Sequence, residues 1–228
     1  MVRTTAVLFA LVLLPLTLLA QQGQNNNLAG AIINARQKNA AMLQNYNWNS
    51  RTELDKDGNM QDIRIELVTL GPGGQPQRQM LNDQPGQLPG GFFRKRIAED
   101  QRKKAEKYVK ELVPLVEQYT LPTPGAVFNF ISSAQVQPIT GPNGQSQLQI
   151  TGNGVVSPGD NFSMTFNGAN LQPISAQITT QYDGAPITIT ATFRTMQSGL
   201  NHLQYATVTA PDKNLTLNIH NYDYSSNN

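Results

Sequence analysis

The chain has 228 residues, with 17 Lys and Arg against 15 Asp and Glu and no cysteine. Near-neutrality argues against nucleic acid as a general partner. Without cysteine there are no disulfides, so packing alone must stabilise the fold.

Residues 1–3 carry one positive charge, residues 4–19 are almost entirely apolar, and Ala20 precedes Gln21-Gln22-Gly23-Gln24-Asn25-Asn26-Asn27. A charged start, an apolar run, a small residue and a polar tail make a secretory signal peptide over residues 1–20. The apolar run is shorter than the roughly 20 residues a spanning helix needs. The expected protein is therefore exported, periplasmic or extracellular, and soluble after cleavage. No cysteine follows the cleavage point, which excludes the bacterial lipid anchor.

Residues 21–27 form a polar, low-complexity tether, expected to be disordered. Residues 28–46 predict a helix, with Leu28, Ala31, Ile32, Ala35, Asn39, Met42, Leu43 and Tyr46 recurring at helical spacing. Arg36 and Lys38 fall off that stripe. The period then changes to two. Trp48, Ser50, Thr52 and Leu54 alternate with polar neighbours, and Asp57-Gly58-Asn59 turns the chain. Ile63, Ile65 and Leu67 follow in alternation, Gly71-Pro72-Gly73-Gly74 turns again, and residues 75–83 return as a third strand.

Residues 84–91, rich in Gly and Pro, predict a flexible connection. A charged helix is expected over residues 92–119, kinked or broken at Pro114, with residues 121–125 ending the helical part. From about Ala134 the chain reads as strands to its end. Ile187, Ile189, Ala191 and Phe193 are the clearest set. They should be buried, with Thr188, Thr190, Thr192 and Arg194 facing outward.

Many strands with one apolar face each need that face covered. The expected fold class is α+β: a curved antiparallel sheet covered by two or three helices. Residues 28–224 would form one domain, with residues 225–228 as a tail. The alternative is a structural interaction module without a small-molecule ligand, in which residues 126–224 form a separate C-terminal β-sandwich.

The element order carries a resemblance. A signal peptide, a helix near residues 34–46, an aromatic-rich strand turning at Asp57-Gly58, a helical middle ending in Tyr119 and Pro122, and a long run of strands follow one another. This order resembles the outer-membrane lipoprotein carrier (LolA-like) superfamily. The resemblance implies that the sheet is an unclosed half-barrel with a helical lid. It also implies a concave apolar surface able to hold an acyl chain or a lipid-modified partner. Candidate pocket residues are Ile63, Ile65, Leu67, Ile187, Ile189 and Phe193, with few charges among them.

Other constellations are weaker. Asp55, Asp57, Asn59 and Glu66 have calcium-loop spacing, but Met60 stands where the loop needs glycine, so a hairpin turn is the better reading. His202 and His220 lie at polar-facing strand positions and read as solvent-facing, without metal-ligand spacing. No nucleophile elbow, zinc-protease motif or phosphate loop is present, so neither a catalytic residue nor a cofactor is assigned. Phe92, Phe93, Arg94, Lys95 and Arg96, with Arg102, Lys103 and Lys104, form a basic cluster headed by two aromatics. Its functional reading is contact with an anionic membrane surface or an envelope protein. With no catalytic motif beside it, the resemblance implies a non-catalytic carrier for an apolar or lipid-modified ligand in the bacterial cell envelope.

Overall fold

A computed structural model describes the backbone of residues 14–85 and 92–227, and the side chains of residues 23–82, 100 and 103–227. The chain opens with helix α1 (Leu14–Leu43) and continues through β1 (Tyr46–Lys56), β2 (Asn59–Leu70) and β3 (Pro76–Pro85). Two helices follow, α2 (Phe92–Thr120) and α3 (Pro124–Ser133). The remaining strands are β4 (Gln135–Thr140), β5 (Ser146–Asn153), β6 (Asn161–Asn167), β7 (Pro173–Tyr182), β8 (Ala185–Thr195), β9 (Asn201–Ala210) and β10 (Leu215–Ser226).

All ten strands belong to one antiparallel sheet, in the order β3-β2-β1-β10-β9-β8-β7-β6-β5-β4. The last strand returns to pair with the first, so β10 joins the two meanders. The sheet edges, β3 and β4, do not meet. The fold is a curved, unclosed antiparallel sheet covered by three helices. The alternative of a separate sandwich over residues 126–224 is corrected: those strands share one sheet with β1–β3, and the described residues form no second sheet for them to pack against.

The core lies between the helices and one face of the sheet. Val109, Leu112, Val113 and Val116 of α2 pack with Ile178, Ile189, Val208 and Leu217. The β8 alternation is as expected: Ile187, Ile189 and Ala191 are buried and Phe193 is partly buried, while Thr190, Thr192 and Arg194 are exposed and Thr188 is half-buried. Burying an aliphatic side chain contributes about 1.5–3 kcal/mol, so this face carries most of the stabilisation.

Three elements differ from expectation. Residues 21–27 do not form a disordered tether; they continue α1. The Asn25 side chain is buried there, and its Nδ2 donates to the Ala134 carbonyl at 3.0 Å. A long-range bond of this kind offsets the low helix propensity of the Gln/Asn run. Helix α2 runs through Pro114 without a break. Pro114 sits on the exposed face, where the carbonyl it leaves unbonded can meet water. The helical part also does not end at Gly125, because α3 follows. Thr123 caps it by accepting from Ala126 N, and Pro124 occupies its first turn, where a missing N–H costs nothing. Val127, Phe130 and Ile131 turn inward. Helix α3 packs so closely on β5 that a Cβ on Gly152 would lie 2.8 Å from the Phe130 ring.

Candidate functional site

A cavity of about 340 Å³ lies where α1, the α2–α3 junction and one end of the sheet meet. Helix α1 presents Ile33, Arg36, Asn39, Ala40 and Leu43, residues three and four apart and so on one face. The junction contributes Thr120 to Pro124 and Val127. Leu171 and Pro173 come from the β6–β7 connection and the start of β7. Phe193, Asn201, His202 and Leu203 of β8 and β9 close the far wall. Gln37, Gln44, Gly73 and Leu121 line the cavity and are exposed, so it opens to solvent.

Polar clamps set its shape. Asn39 Nδ2 donates to the Asn201 carbonyl and Asn39 Oδ1 accepts from Asn201 N, both at 2.7 Å. This two-way bond fixes α1 over the start of β9. Asn201 Nδ2 donates onward to Pro173 O and Thr195 Oγ1. Behind the wall, His202 lies 3.9 Å from the Tyr224 ring, which stacks on Trp48 at 5.3 Å. Burial lowers the His202 pKa, opposed by its backbone contact with Leu203 and reinforced by Arg194, so the ring is neutral at neutral pH. The expectation of two solvent-facing histidines is corrected: His202 is buried. His220 is half-buried and stacks on Tyr205.

Among the described residues Arg36 is the one formally charged side chain on the cavity wall. Its Nη2 donates to the Thr120 carbonyl at 3.2 Å. Burial pushes the guanidinium down to about 10, which still leaves it charged at neutral pH. The residue as a whole keeps some exposure because the cavity it faces is open. In the sequence Arg36 falls off the apolar stripe of the helix. Its spacing of four from Ile32 and seven from Leu43, both buried, was the available signal.

Of the six candidate pocket residues, only Phe193 lines this cavity. Ile187 and Ile189 are fully packed core residues. Ile63, Ile65 and Leu67 sit on the other face of the sheet, beside Glu53, Arg51 and Asn49. The inner face of β2 instead carries Asp62, Arg64 and Glu66, next to Ser50 and Thr52. Arg64 Nε bonds Asp62 at 2.7 Å, and Arg78 of β3 bridges Glu66 at 2.9 Å and Glu117 of α2 at 2.5 Å. The expectation of few charges on the concave face is thus corrected for β1–β3, where a charged network replaces an apolar lining. Helix α2 also fills the middle of that face, leaving the cavity at one end.

The cause is a single bulge. Lys56 pairs with Asn59 and Asp55 with Met60, but Leu54 pairs with Asp62. The extra residue, Gln61, flips every later side chain of β2 to the opposite face. A second bulge, opposite Thr192 and Phe193, puts Leu203 on the cavity wall and turns Tyr205 outward.

The calcium-loop spacing is a hairpin: Asp57 and Gly58 both have positive φ, and Glu66 belongs to the Arg78 network. Among the described residues no group of His, Asp and Glu could hold a metal ion. No helix among them is long and apolar enough to cross a membrane. In the basic cluster, Lys103 and Lys104 are exposed on α2. The side chains of Phe92, Phe93, Arg94, Lys95, Arg96 and Arg102 lie outside the described ones, as do residues 1–13 of the expected signal peptide.

No protein-family model matches the chain, and no curated protein matches it. Solved structures do share its outline. One is a DUF1329 family protein from Desulfovibrio piger, with a TM-score of 0.46 and 8% identity, covering 90% of this chain and 93% of that one. Another is a putative outer membrane lipoprotein-sorting protein domain from Vibrio parahaemolyticus, at 0.37 and 10%, covering 85% and 91%. A third is a LolA superfamily protein from Nitrosomonas europaea, at 0.33 and 12%, covering 88% and 94%. These are likenesses of outline; the chemistry of the site rests on its own residues.

Proposed function

We propose that this protein is an exported, non-catalytic carrier that holds an apolar or lipid-modified ligand in the cavity between α1, the α2–α3 junction and β8–β9. The observation that carries this reading is the cavity itself: largely apolar, open to solvent and about 340 Å³. That volume is within the roughly 300–1,000 Å³ of small-molecule sites, at the end suited to one chain. Exposed Leu121 at its rim gives an apolar ligand a first contact. The basic run of α2 gives the carrier a means to approach anionic headgroups or an envelope partner.

The test is titration with an environment-sensitive fatty-acid probe. Wild type should bind it saturably. Leu203→Asn places an amide on the apolar part of the cavity wall and should weaken binding by about tenfold, since burying a polar group without a partner costs about 1–3 kcal/mol. Thr190→Asp, on the exposed face, should leave binding unchanged. Absence of saturable binding to folded wild type would refute the carrier.

Export gives a second test. The mature protein recovered from outside the cytoplasm should begin at Gln21, read by intact mass. A secreted soluble form that still carries residues 1–20 would contradict the signal-peptide reading.

A further inference from the structure

The cavity wall holds a cation that no carboxylate answers. A guanidinium has five N–H donors, and among the described residues Arg36 makes one hydrogen bond, to a backbone carbonyl. Among the described residues no Asp or Glu lines the cavity. A desolvated charge without a counter-charge is costly, and a solvent-facing arginine elsewhere on α1 would avoid that cost. The same side chain also lines a small apolar void of about 20 Å³ toward Phe130 and Phe162. Arg36 is therefore a charged point set in apolar surroundings, with donors left over and an open path to solvent.

We infer that the cavity takes a single-chain anionic amphiphile, a long-chain carboxylate, whose head pairs with the Arg36 guanidinium while its chain lies against Ile33, Leu43, Phe193 and Leu203. This rests on the carrier reading and names its ligand class. The planar fork of arginine matches a carboxylate with two parallel bonds. The charge count selects a monoanion. A phosphate monoester carries about −1.5 to −2, more than one guanidinium neutralises, and no other cation among the described residues lines the cavity.

The experiment is calorimetric titration of the exported, mature protein with hexadecanoate, hexadecanol and hexadecyl phosphate. Wild type should bind the acid about 10- to 100-fold more tightly than the alcohol, the worth of a charge-assisted pair. Arg36→Met should bind acid and alcohol alike, and Arg36→Lys should keep part of the preference. Thermal unfolding of ligand-free Arg36→Met at or above the wild-type midpoint would show that the loss is of recognition and not of folding. If that variant fails to fold, the wild-type ratio and the lysine variant decide. Equal affinity of wild type for acid and alcohol overturns the anchor and leaves the carrier standing. Preference for the phosphate over the acid overturns the monoanion assignment. Binding of none of the three overturns the anchor and the carrier together.

Discussion

Replacing Asp160 by alanine should destabilise the protein by about 4 kcal/mol, because one buried carboxylate organises the β5–β6 loop and ties it to α2. Its Oδ1 accepts from Gly154 N at 2.5 Å and Val155 N at 3.0 Å. Its Oδ2 accepts from Val156 N and Ser157 N at 3.0 Å and from the Tyr119 hydroxyl at 2.8 Å. Asp160→Asn can serve the donors of one oxygen only, since its amide nitrogen does not accept. It should cost about half as much as alanine. Tyr119 feels the same carboxylate. Burial, opposed by Thr180 and reinforced by Asp160, pushes its phenol up to about 12.

The same site sets a pH dependence. Burial alone would raise the Asp160 pKa, but the backbone amides of Ser157, Val156 and Val155, with Tyr119, bring it below the ordinary carboxylate value. A depressed pKa contributes stability that is present above the unfolded value of about 3.9 and is lost as pH falls through the folded value. The stability gap between wild type and Asp160→Asn should therefore narrow below about pH 4. Urea unfolding at a series of pH values measures it. A gap that stays constant into acid would show that the loop does not depend on the ionised carboxylate.

The strands were legible because their apolar sets recur at two-residue spacing, and in β8 that spacing also named the buried face. In β2 it named the wrong one. Periodicity separates two faces but does not say which one meets the helices. The Asp57-Gly58 turn alone would have set Ile63, Ile65 and Leu67 inward, opposite Thr52, Ser50 and Trp48. One bulged residue, Gln61, reverses this, and a bulge of one ordinary glutamine leaves no compositional mark. The cavity was illegible for a related reason. Its walls come from α1, the α2–α3 junction and β8–β9, far apart in sequence, and Leu203 reaches it only through a bulge. Arg36 was readable in principle from its helical spacing, but a charge on a helix normally reads as solvent-facing. Asp160 stands in an ordinary turn sequence, Pro158-Gly159-Asp160, and its role depends on Tyr119, 41 positions away.

The charges that the Gln61 bulge turns inward set up the second large effect. Arg78 holds Glu66 on β2 and Glu117 on α2, and all three side chains are mostly buried, at 23%, 15% and 26% exposure. Arg78→Met should cost about 3 kcal/mol, because it leaves two carboxylates facing each other without a counter-charge. The residual exposure puts the cost at the lower end of the range for buried pairs. Added salt should restore part of that loss by screening the repulsion. Replacing all three together, as Arg78→Met with Glu66→Leu and Glu117→Leu, should bring stability back to wild type or above it. Desolvating three charges costs about as much as their pairing returns, and apolar replacements of similar size avoid both. Urea unfolding at low and high salt distinguishes the cases. A triple variant as unstable as Arg78→Met would mean that the network acts through packing, with Arg78's aliphatic stem supporting α2 on the sheet. Recovery would mean that the charges fix which face of β2 meets the helix, at little net cost in stability. In that case the inward turn of Asp62, Arg64 and Glu66 specifies how α2 docks, and leaves the cavity at the apolar end of the fold.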